Sequence, residues 1–163
     1  MAKVLLIGAT GNISYRVGTS LIEAGHEVHG VCRSTTSPFR RINEHLKLYT
    51  CDIQGGTFLR TLAKENNYDY VIDFITYNKE TAAQRVADFG DDVKKCYFFV
   101  STSAGYSRLE KYLPINEATP FDYLEWGYVI KKKEAEEVFI DACEKHNFKV
   151  SILRFSHTID VVL

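Results

Sequence analysis

The sequence lacks several features that mark particular classes of protein. No apolar run approaches the ~18 residues that a membrane span requires, and residues 1–30 contain no charged-then-apolar leader. The formal net charge is −1, so the chain has no excess of positive charge of the kind that binds nucleic acid or anionic membranes. These absences predict a cytoplasmic protein without membrane contact, and they argue against nucleic acid as a partner.

Paired cysteines and metal-ligand spacings are also missing. The four cysteines are scattered and include no C-x-x-C pair: Cys32, Cys51, Cys96 and Cys143. Their positions predict buried free thiols in a reducing compartment. His26 and His29 lie three apart at the start of a predicted strand, where side chains at odd spacing point to opposite faces. No metal site is therefore expected.

Apolar runs of strand length alternate with helical patterns along the 163 residues, which predicts a single domain over 1–163. Strands are predicted at 3–7, 27–32, 46–50, 69–74, 96–101 and 149–154, and helices at 11–24, 38–45, 56–66, 79–89 and 122–146. Repeated βα units indicate an α/β fold, an open and doubly wound parallel sheet of about six strands with helices on both faces. Only 102–121 has the pattern of a long loop.

The N-terminal motif is the most informative part of the chain. The apolar strand from Val4 to Ile7 leads directly into a Gly8-x-x-Gly11-x-x-Ser14 turn, and an amphipathic helix follows. Gly8 permits a tight turn, and Gly11 lets the backbone approach a phosphate because it has no Cβ. Ser14 takes the third small position, and its hydroxyl is a candidate phosphate donor. The alternative is a tight βα connection that binds no ligand.

A second motif pairs Tyr128 with Lys132 in the last predicted helix. Side chains four residues apart lie on the same helical face. The ammonium is expected to lower the phenol pKa from ~10 and make the tyrosine a useful acid or base. The pair follows Ser-Thr-Ser at 101–103, at the carboxyl end of a strand, where open α/β sheets bind ligands. The alternatives are a solvated lysine run and hydroxyls that only satisfy a strand end.

Four segments in this order resemble one family, the extended short-chain dehydrogenase/reductases, also called NAD-dependent epimerase/dehydratases. They are Gly8-Ala-Thr-Gly-Asn-Ile-Ser14, Cys51-Asp52-Ile53, Val100-Ser-Thr-Ser-Ala-Gly-Tyr106 and Trp126-Gly-Tyr-Val-Ile-Lys-Lys-Lys-Glu-Ala-Glu136. The Gly-Asn-Ile-Ser turn is most similar to a bacterial subgroup whose plant plastid relatives include RNA-binding members. The resemblance implies a Rossmann fold and a nicotinamide cofactor.

The resemblance also implies a set of cofactor-binding residues: Gly8, Thr10, Gly11, Asn12, Ile13, Ser14, Asp52 and Ile53. The first six would surround the pyrophosphate, and the last two would flank the adenine. NAD users of the family carry an acidic residue at the end of strand two, where this chain has Cys32 followed by Arg33. A guanidinium suits a 2′-phosphate, so NADP(H) is favoured and NAD(H) is the alternative. Arg33 stacked on adenine without reading the ribose is a further alternative.

The catalytic residues carried over from the resemblance are four. Tyr128 would be the general acid and base, and Lys132 would bind the nicotinamide ribose and tune the tyrosine. Thr102 takes the place of the hydroxyl residue that holds the substrate oxygen, and Ser103 is the fallback. The substrate domain that usually follows in the family is expected to be absent. The last strand then forms a sheet edge, which predicts a homo-oligomer.

Three functions are consistent with these observations. The first is an NAD(P)-dependent epimerase, dehydratase or reductase that acts at a secondary alcohol or ketone of an unidentified small molecule, such as a nucleotide sugar. The second is a module that senses NADP(H) without turnover. The third is an RNA-binding relative, which the near-neutral charge disfavours.

Overall fold

A computed structural model describes residues 1–33, 42–53, 57–90, 92–146, 148–156 and 158. The strands are β1 (Lys3–Ile7), β2 (Glu27–Cys32), β3 (Lys47–Thr50), β4 (Tyr70–Asp73), β5 (Cys96–Thr102) and β6 (Val150–Phe155). The helices are α1 (Asn12–Glu23), α2 (Phe58–Asn66), α3 (Lys79–Phe89) and α4 (Gly127–His146). Two short 3-10 turns at 103–105 and 110–112 lie between β5 and α4.

The six strands form one parallel sheet in the order β3-β2-β1-β4-β5-β6. The central strand β1 is apolar and pairs on both sides, with Leu6 opposite Gly30 of β2 and Ile72 of β4. The chain moves outward from β1 to β3 and then crosses to β4, so the strand order reverses between β1 and β4. Open sheets of this type bind ligands in the crevice at that point.

Helices cover both faces of the sheet, as the alternation of apolar runs predicts. On one face α1 packs Val17 and Leu21 against a cluster that includes Val4 and Leu6 of β1. On the other face, the larger cluster joins β1, β4 and β5 to side chains of the remaining helices, including Leu59, Phe89 and Phe139. The doubly wound fold predicted from the sequence is confirmed.

Two predicted helices differ from the structure. Of the helix predicted at 38–45, residues 42–45 are not helical and the rest lies outside the described residues. The helix predicted at 122–146 begins only at Gly127. The preceding residues are bonded to the loop instead, because the Tyr123 amide donates to the Gly105 carbonyl at 3.0 Å and the Ser107 amide to the Pro120 carbonyl at 2.7 Å.

The cysteines are free thiols, but only Cys32 is buried; Cys51 and Cys96 are partly exposed, and Cys143 is exposed. The prediction of buried thiols is therefore wrong for Cys143, which lies on the solvent side of α4. Within the ranges that the structure describes, no group of three histidine, cysteine or acidic side chains is placed to hold a metal ion.

No helix in the described part of the chain combines the length and apolar composition that crossing a bilayer requires.

Candidate functional site

The turn after β1 is built around Gly8. Its φ of +86° lies in the region that residues with a side chain rarely adopt, and an added Cβ would lie 2.4 Å from Ile75 Cγ2. The amides of Gly8 and Ala9 both donate to the Val31 carbonyl, at 2.9 and 3.1 Å, which fixes the turn to the end of β2. The turn therefore needs glycine at this position for both conformation and space.

Ser14 closes the same turn from inside. It is 1% exposed; its hydroxyl donates to the Gly8 carbonyl at 2.5 Å and accepts from the Gly11 amide at 3.0 Å. The hydroxyl proton is thus directed at the loop's own backbone, which corrects the expectation that Ser14 donates to a phosphate. Its small size still matters, because a Cβ on Gly11 would lie 3.2 Å from the Ser14 oxygen.

A cavity of about 550 Å³ opens at the carboxyl ends of the strands, over this turn. Residues from the predicted cofactor set line it: Gly8, Thr10, Gly11, Arg33, Asp52 and Ile53. The turn after β4 and the start of α3 form the opposite wall, with Ile75, Tyr77, Asn78, Thr81 and Arg85. The structure brings the two separate sequence motifs of the predicted cofactor site to one cavity.

The remaining members of the cofactor set lie elsewhere. Asn12 is exposed at the start of α1, and Ile13 lines a second, smaller cavity. Both belong to the first turn of α1, and the first turn of a helix directs N–H groups and a partial positive charge outward. Anions bind at such termini, so the turn offers a place for phosphate.

Arg33 and Asp52 are both exposed and both line the larger cavity. NADP(H) is favoured in the sequence because no carboxylate stands at the end of strand two, where NAD users carry one. The structure shows a carboxylate, that of Asp52, on the same cavity as the Arg33 guanidinium. Arg40 and Arg41, which the sequence places nearby, lie outside the described residues.

The smaller cavity, of about 240 Å³, gathers the predicted catalytic residues. Its lining includes Thr102, Tyr128 and Lys132, together with Ser101 and Val100 of β5. It lies beside the larger cavity, because the ring of Tyr77, which lines the larger one, is 5.5 Å from the ring of Tyr128. Three of the four predicted catalytic residues thus share one space next to the cofactor cavity.

Lys132 is buried beneath this cavity. Its ammonium donates to two backbone carbonyls, those of Thr76 at 2.6 Å and Val100 at 2.8 Å, and lies 4.7 Å from the centre of the Phe99 ring. Burial lowers the pKa of Lys132 to about 8, while the nearby carboxylates of Asp73 and Glu136 oppose that fall. An ammonium has three N–H donors, so the two carbonyls leave one for a further acceptor.

Tyr128 lies in the first turn of α4 and is 40% exposed. Burial raises the pKa of its phenol, and the neighbouring Tyr77 adds to the rise. The sequence predicts a lower pKa from the adjacent ammonium. The structure differs because the Lys132 ammonium is directed at backbone carbonyls. A protonated phenol at neutral pH can donate a proton to a substrate oxygen before it acts as a base.

The two hydroxyl candidates after β5 have different surroundings. The Thr102 oxygen accepts from the Ala104 amide at 3.2 Å, and its own O–H remains a donor beside the cavity. Ser103 begins the 3-10 turn, where its carbonyl accepts from the Tyr106 amide at 3.1 Å, and its side chain is not part of the cavity lining that the structure describes. The geometry favours Thr102 over Ser103.

The buried polar groups below the site were not predicted from the sequence. Asp73, Thr76 and Glu136 are each 2% exposed or less, and each reaches a residue of the smaller cavity. Asp73 ends a short apolar strand at the carboxyl edge of the sheet. A charged residue at that place was the signal that could have identified it.

These residues fit a dinucleotide. A glycine turn without Cβ atoms and the start of a helix can hold a pyrophosphate, and Asp52 and Ile53 can flank a base. The larger cavity falls within the usual range for ligand pockets, roughly 300–1,000 Å³. Proton donors line the adjoining smaller cavity.

The chain is similar to known proteins of one family. The sequence model of the NAD dependent epimerase/dehydratase family matches residues 4–159. The chain is 24% identical over 168 residues to a UDP-glucose 4-epimerase of Lactobacillus helveticus, covering 94% of this chain and 51% of that protein. It is 25% identical over 185 residues to a GDP-mannose 4,6 dehydratase of Homo sapiens, covering 94% and 49%.

The fold is shared with solved structures. The UDP-glucose 4-epimerase of Bifidobacterium longum, solved in complex with NAD+ and UDP, superposes with a TM-score of 0.74 at 22% identity, over 93% of this chain and 52% of that one. The chain spans about half the length of the curated relatives it matches. With the family model matched over nearly its whole length, this chain belongs to the NAD dependent epimerase/dehydratase family.

Proposed function

We propose that the chain is the cofactor-binding and catalytic part of an NAD(P)-dependent epimerase or dehydratase that acts at a secondary alcohol or ketone of a nucleotide sugar. The observation that carries the proposal is the shared cavity of Thr102, Tyr128 and Lys132 beside the glycine turn. The substrate class rests on the relatives, which include a UDP-glucose 4-epimerase and a GDP-mannose 4,6 dehydratase. Membership of the Gly-Asn-Ile-Ser subgroup is part of the proposal.

In this proposal each side chain has one task. Tyr128 moves the proton of the substrate hydroxyl, and Thr102 donates a hydrogen bond to the same oxygen. Lys132 uses its third N–H to hold a ribose hydroxyl of the cofactor, while two carbonyls keep the ammonium in place. The nicotinamide, when bound, supplies the acceptor and donor of hydride. The shape of the cavity and the hydrogen bonds from Tyr128 and Thr102 align the reacting oxygen of the substrate. This role does not require a lowered pKa of the Tyr128 phenol.

For the cofactor we propose NAD(H) ahead of NADP(H). The preference for NADP(H) that Arg33 suggests has no support among the relatives, since the solved structure of the Bifidobacterium longum epimerase contains NAD+. Asp52 on the same cavity also places a negative charge near the adenosine end. That carboxylate would repel a 2′-phosphate, whereas the Arg33 guanidinium would attract it.

A second candidate is a module that binds the dinucleotide without turnover. It is favoured by one observation, that the chain spans about half the length of the relatives. The part of those proteins that this chain does not match is available to contribute substrate contacts. This candidate predicts the same cofactor binding and no catalysis by the chain alone.

Calorimetric titration tests the proposal, with NAD+, NADH, NADP+ and NADPH as the four ligands. We expect the NAD pair to bind with Kd in the micromolar range and the NADP pair to bind at least fivefold more weakly. Arg33→Ala should weaken NADPH binding more than NADH binding. Turnover of UDP-glucose or GDP-mannose with bound NAD+ supports the enzyme, and binding without turnover supports the second candidate. Absence of binding by all four dinucleotides contradicts both.

A further inference from the structure

The buried ammonium of Lys132 depends on a backbone carbonyl from a distant segment. Its shorter hydrogen bond, 2.6 Å, goes to the carbonyl of Thr76, which lies in the turn between β4 and α3. The other bond goes to Val100 within the regular strand β5, where the sheet ladder fixes the backbone. The Thr76 carbonyl has no such ladder, so another group must hold its turn in place.

Asp73 is that group. Its Oδ1 accepts the amides of Ile75 and Thr76, both at 2.9 Å, and its Oδ2 accepts the Thr76 hydroxyl at 2.5 Å. Three bonds from one carboxylate thus fix the turn, two of them to Thr76 itself. Asp73 and Thr76 are both fully buried, so water does not compete for these bonds.

The carboxylate is itself held from the neighbouring elements. The Tyr97 hydroxyl of β5 donates to Asp73 Oδ2 at 2.6 Å, and Arg85 Nε of α3 lies 3.7 Å from the same oxygen. Arg85 also donates to Asp88 at 3.2 Å. With four hydrogen bonds to its two oxygens, Asp73 meets the condition under which a buried charge is tolerated.

The charged and titratable groups near the Lys132 ammonium come from four elements. Asp73 lies at the end of β4 and Glu136 lies one turn further along α4, and both carboxylates favour the ammonium. From α3, Arg85 pairs with Asp73. Tyr97 contacts the carboxylate from β5, and burial raises the pKa of its phenol well above the usual range, so it acts as a donor throughout.

We propose that Asp73 is a positioning residue for Lys132: it fixes the turn at Thr76 so that the Thr76 carbonyl holds the ammonium toward the cavity shared with Tyr128. The proposal rests on the proposed function for the meaning of that cavity. The chain of contacts runs from the Asp73 carboxylate through the Thr76 backbone to the Lys132 Nζ, and none of its links involves the cofactor.

The test measures the Lys132 pKa in the free protein by NMR of lysine labelled with ¹³C at Cε, with Lys132→Met to assign the resonance. Thr76→Val removes the hydroxyl bond to Asp73 and keeps the side-chain shape, and Thr76→Ser restores the hydroxyl. Asp73→Asn removes the charge and leaves an amide group facing two donors. Asp88→Asn is the matched control, because Asp88 also pairs with buried Arg85 but does not contact Thr76.

Thr76→Val and Asp73→Asn are expected to lower the Lys132 pKa by about one or more, since the ammonium loses an ordered acceptor or a nearby charge. Thr76→Ser and Asp88→Asn are expected to leave it unchanged. NAD+ affinity should fall about fivefold in Thr76→Val and recover in Thr76→Ser. Should Asp73→Asn fail to fold, the two Thr76 variants decide the question alone.

Two results overturn the proposal. One is an unchanged Lys132 pKa in Thr76→Val, which would show that Asp73 affects Lys132 only through its charge and not through the Thr76 backbone. The other is an equal fall in Asp88→Asn, which would show that any loss in this buried cluster has the same effect. The pKa is measured without cofactor, so failure of NAD+ to bind would contradict the proposed function and leave the Asp73 result standing.

Discussion

Arg154 of β6 contacts Glu136 of α4 through two nitrogens. Its Nη2 lies 2.6 Å from Oε2, and its Nε lies 3.1 Å from Oε1 and 3.2 Å from Oε2. The Ser101 hydroxyl of β5 donates to Oε1 at 2.5 Å. Glu136 is 2% exposed, so this carboxylate joins three elements in a setting that largely excludes water. Paired arginine–carboxylate contacts of this kind are among the stronger ones in proteins.

Replacing Glu136 by glutamine should lower the free energy of unfolding by about 2–4 kcal/mol, because the guanidinium would face a neutral amide in a buried position. Urea denaturation at pH 7 measures the change. Asp141→Asn is the control, since it breaks an ion pair with Lys145 on the exposed side of the same helix. Surface pairs contribute little, so this variant should be as stable as the wild type. Equal losses in the two variants would contradict the account.

Gly8→Ala should lower both stability and NAD+ affinity. The positive φ costs any residue with a Cβ about 1–2 kcal/mol, and the added methyl also meets Ile75. Gly25 is a matched control with φ of +82° and open space around the added Cβ. Gly25→Ala should therefore show the conformational loss and keep NAD+ affinity. Calorimetry on both variants separates the two effects, and similar affinities would argue against the glycine turn as the phosphate site.

Tyr128→Phe should abolish turnover while leaving NAD+ affinity within about twofold. Loss of a general acid–base group typically lowers the rate by about 10²- to 10⁴-fold. Tyr123→Phe provides the control, because the Tyr123 hydroxyl bonds to Glu125 in an exposed loop outside the smaller cavity. Steady-state rates with a nucleotide sugar measure both. Activity that survives in Tyr128→Phe would remove Tyr128 from its assigned role.

The burial of Lys132 should appear as a pH dependence of stability. Its pKa is about 8 in the folded chain and 10.5 in the unfolded chain, so the unfolded state holds more protons between these values. Stability therefore rises with pH across that window, by roughly 3 kcal/mol for this one group. Below pH 8 both states are protonated and the slope disappears.

Urea denaturation of the wild type and of Lys132→Met, from pH 7 to pH 10, isolates that contribution. The difference in unfolding free energy between the two proteins should rise in favour of the wild type as the pH increases. A difference that stays constant across the range would show that Lys132 titrates with its ordinary pKa.

We propose that the chain self-associates through β6, as the sequence pattern predicts. In the ranges that the structure describes, β6 pairs on one side only, with β5, and all six of its residues are partly exposed. Unpaired edges offer hydrogen bonds to a second chain. Sedimentation velocity at high micromolar concentration should show dimers or larger species. A monomer at every concentration tested would contradict this prediction.

The fold could be predicted from the sequence because its determinants are local. The strands near Lys3 and Glu27 begin at the predicted residues, and α3 spans its predicted range. The spacing of apolar residues and the positions of glycines determine these elements within a few residues of sequence. The start of the last helix could not be predicted. In that predicted stretch, the Tyr123 amide donates instead to the carbonyl of Gly105, about twenty positions away. A contact between distant residues produces no pattern in the nearby sequence.

The site could be predicted only as far as each motif is local. The Tyr128 and Lys132 spacing guarantees a common helical face, and the structure brings both to one cavity. The partners of Lys132 could not be predicted from the sequence. Thr76 lies 56 residues away, and it contributes its backbone carbonyl, which every residue type has. The same holds for Ser14, whose hydroxyl turns inward to the Gly8 carbonyl.

We propose, above all, that the glycine turn and the Tyr128–Lys132 pair line one site for a nicotinamide dinucleotide. A crystal structure of the chain grown with saturating NAD+ tests it most directly. We expect the pyrophosphate against residues 8–14 and the nicotinamide end beside Tyr128, with Lys132 Nζ bonded to a ribose hydroxyl. Density for NAD+ elsewhere, or a site that stays empty at saturating NAD+, would contradict it.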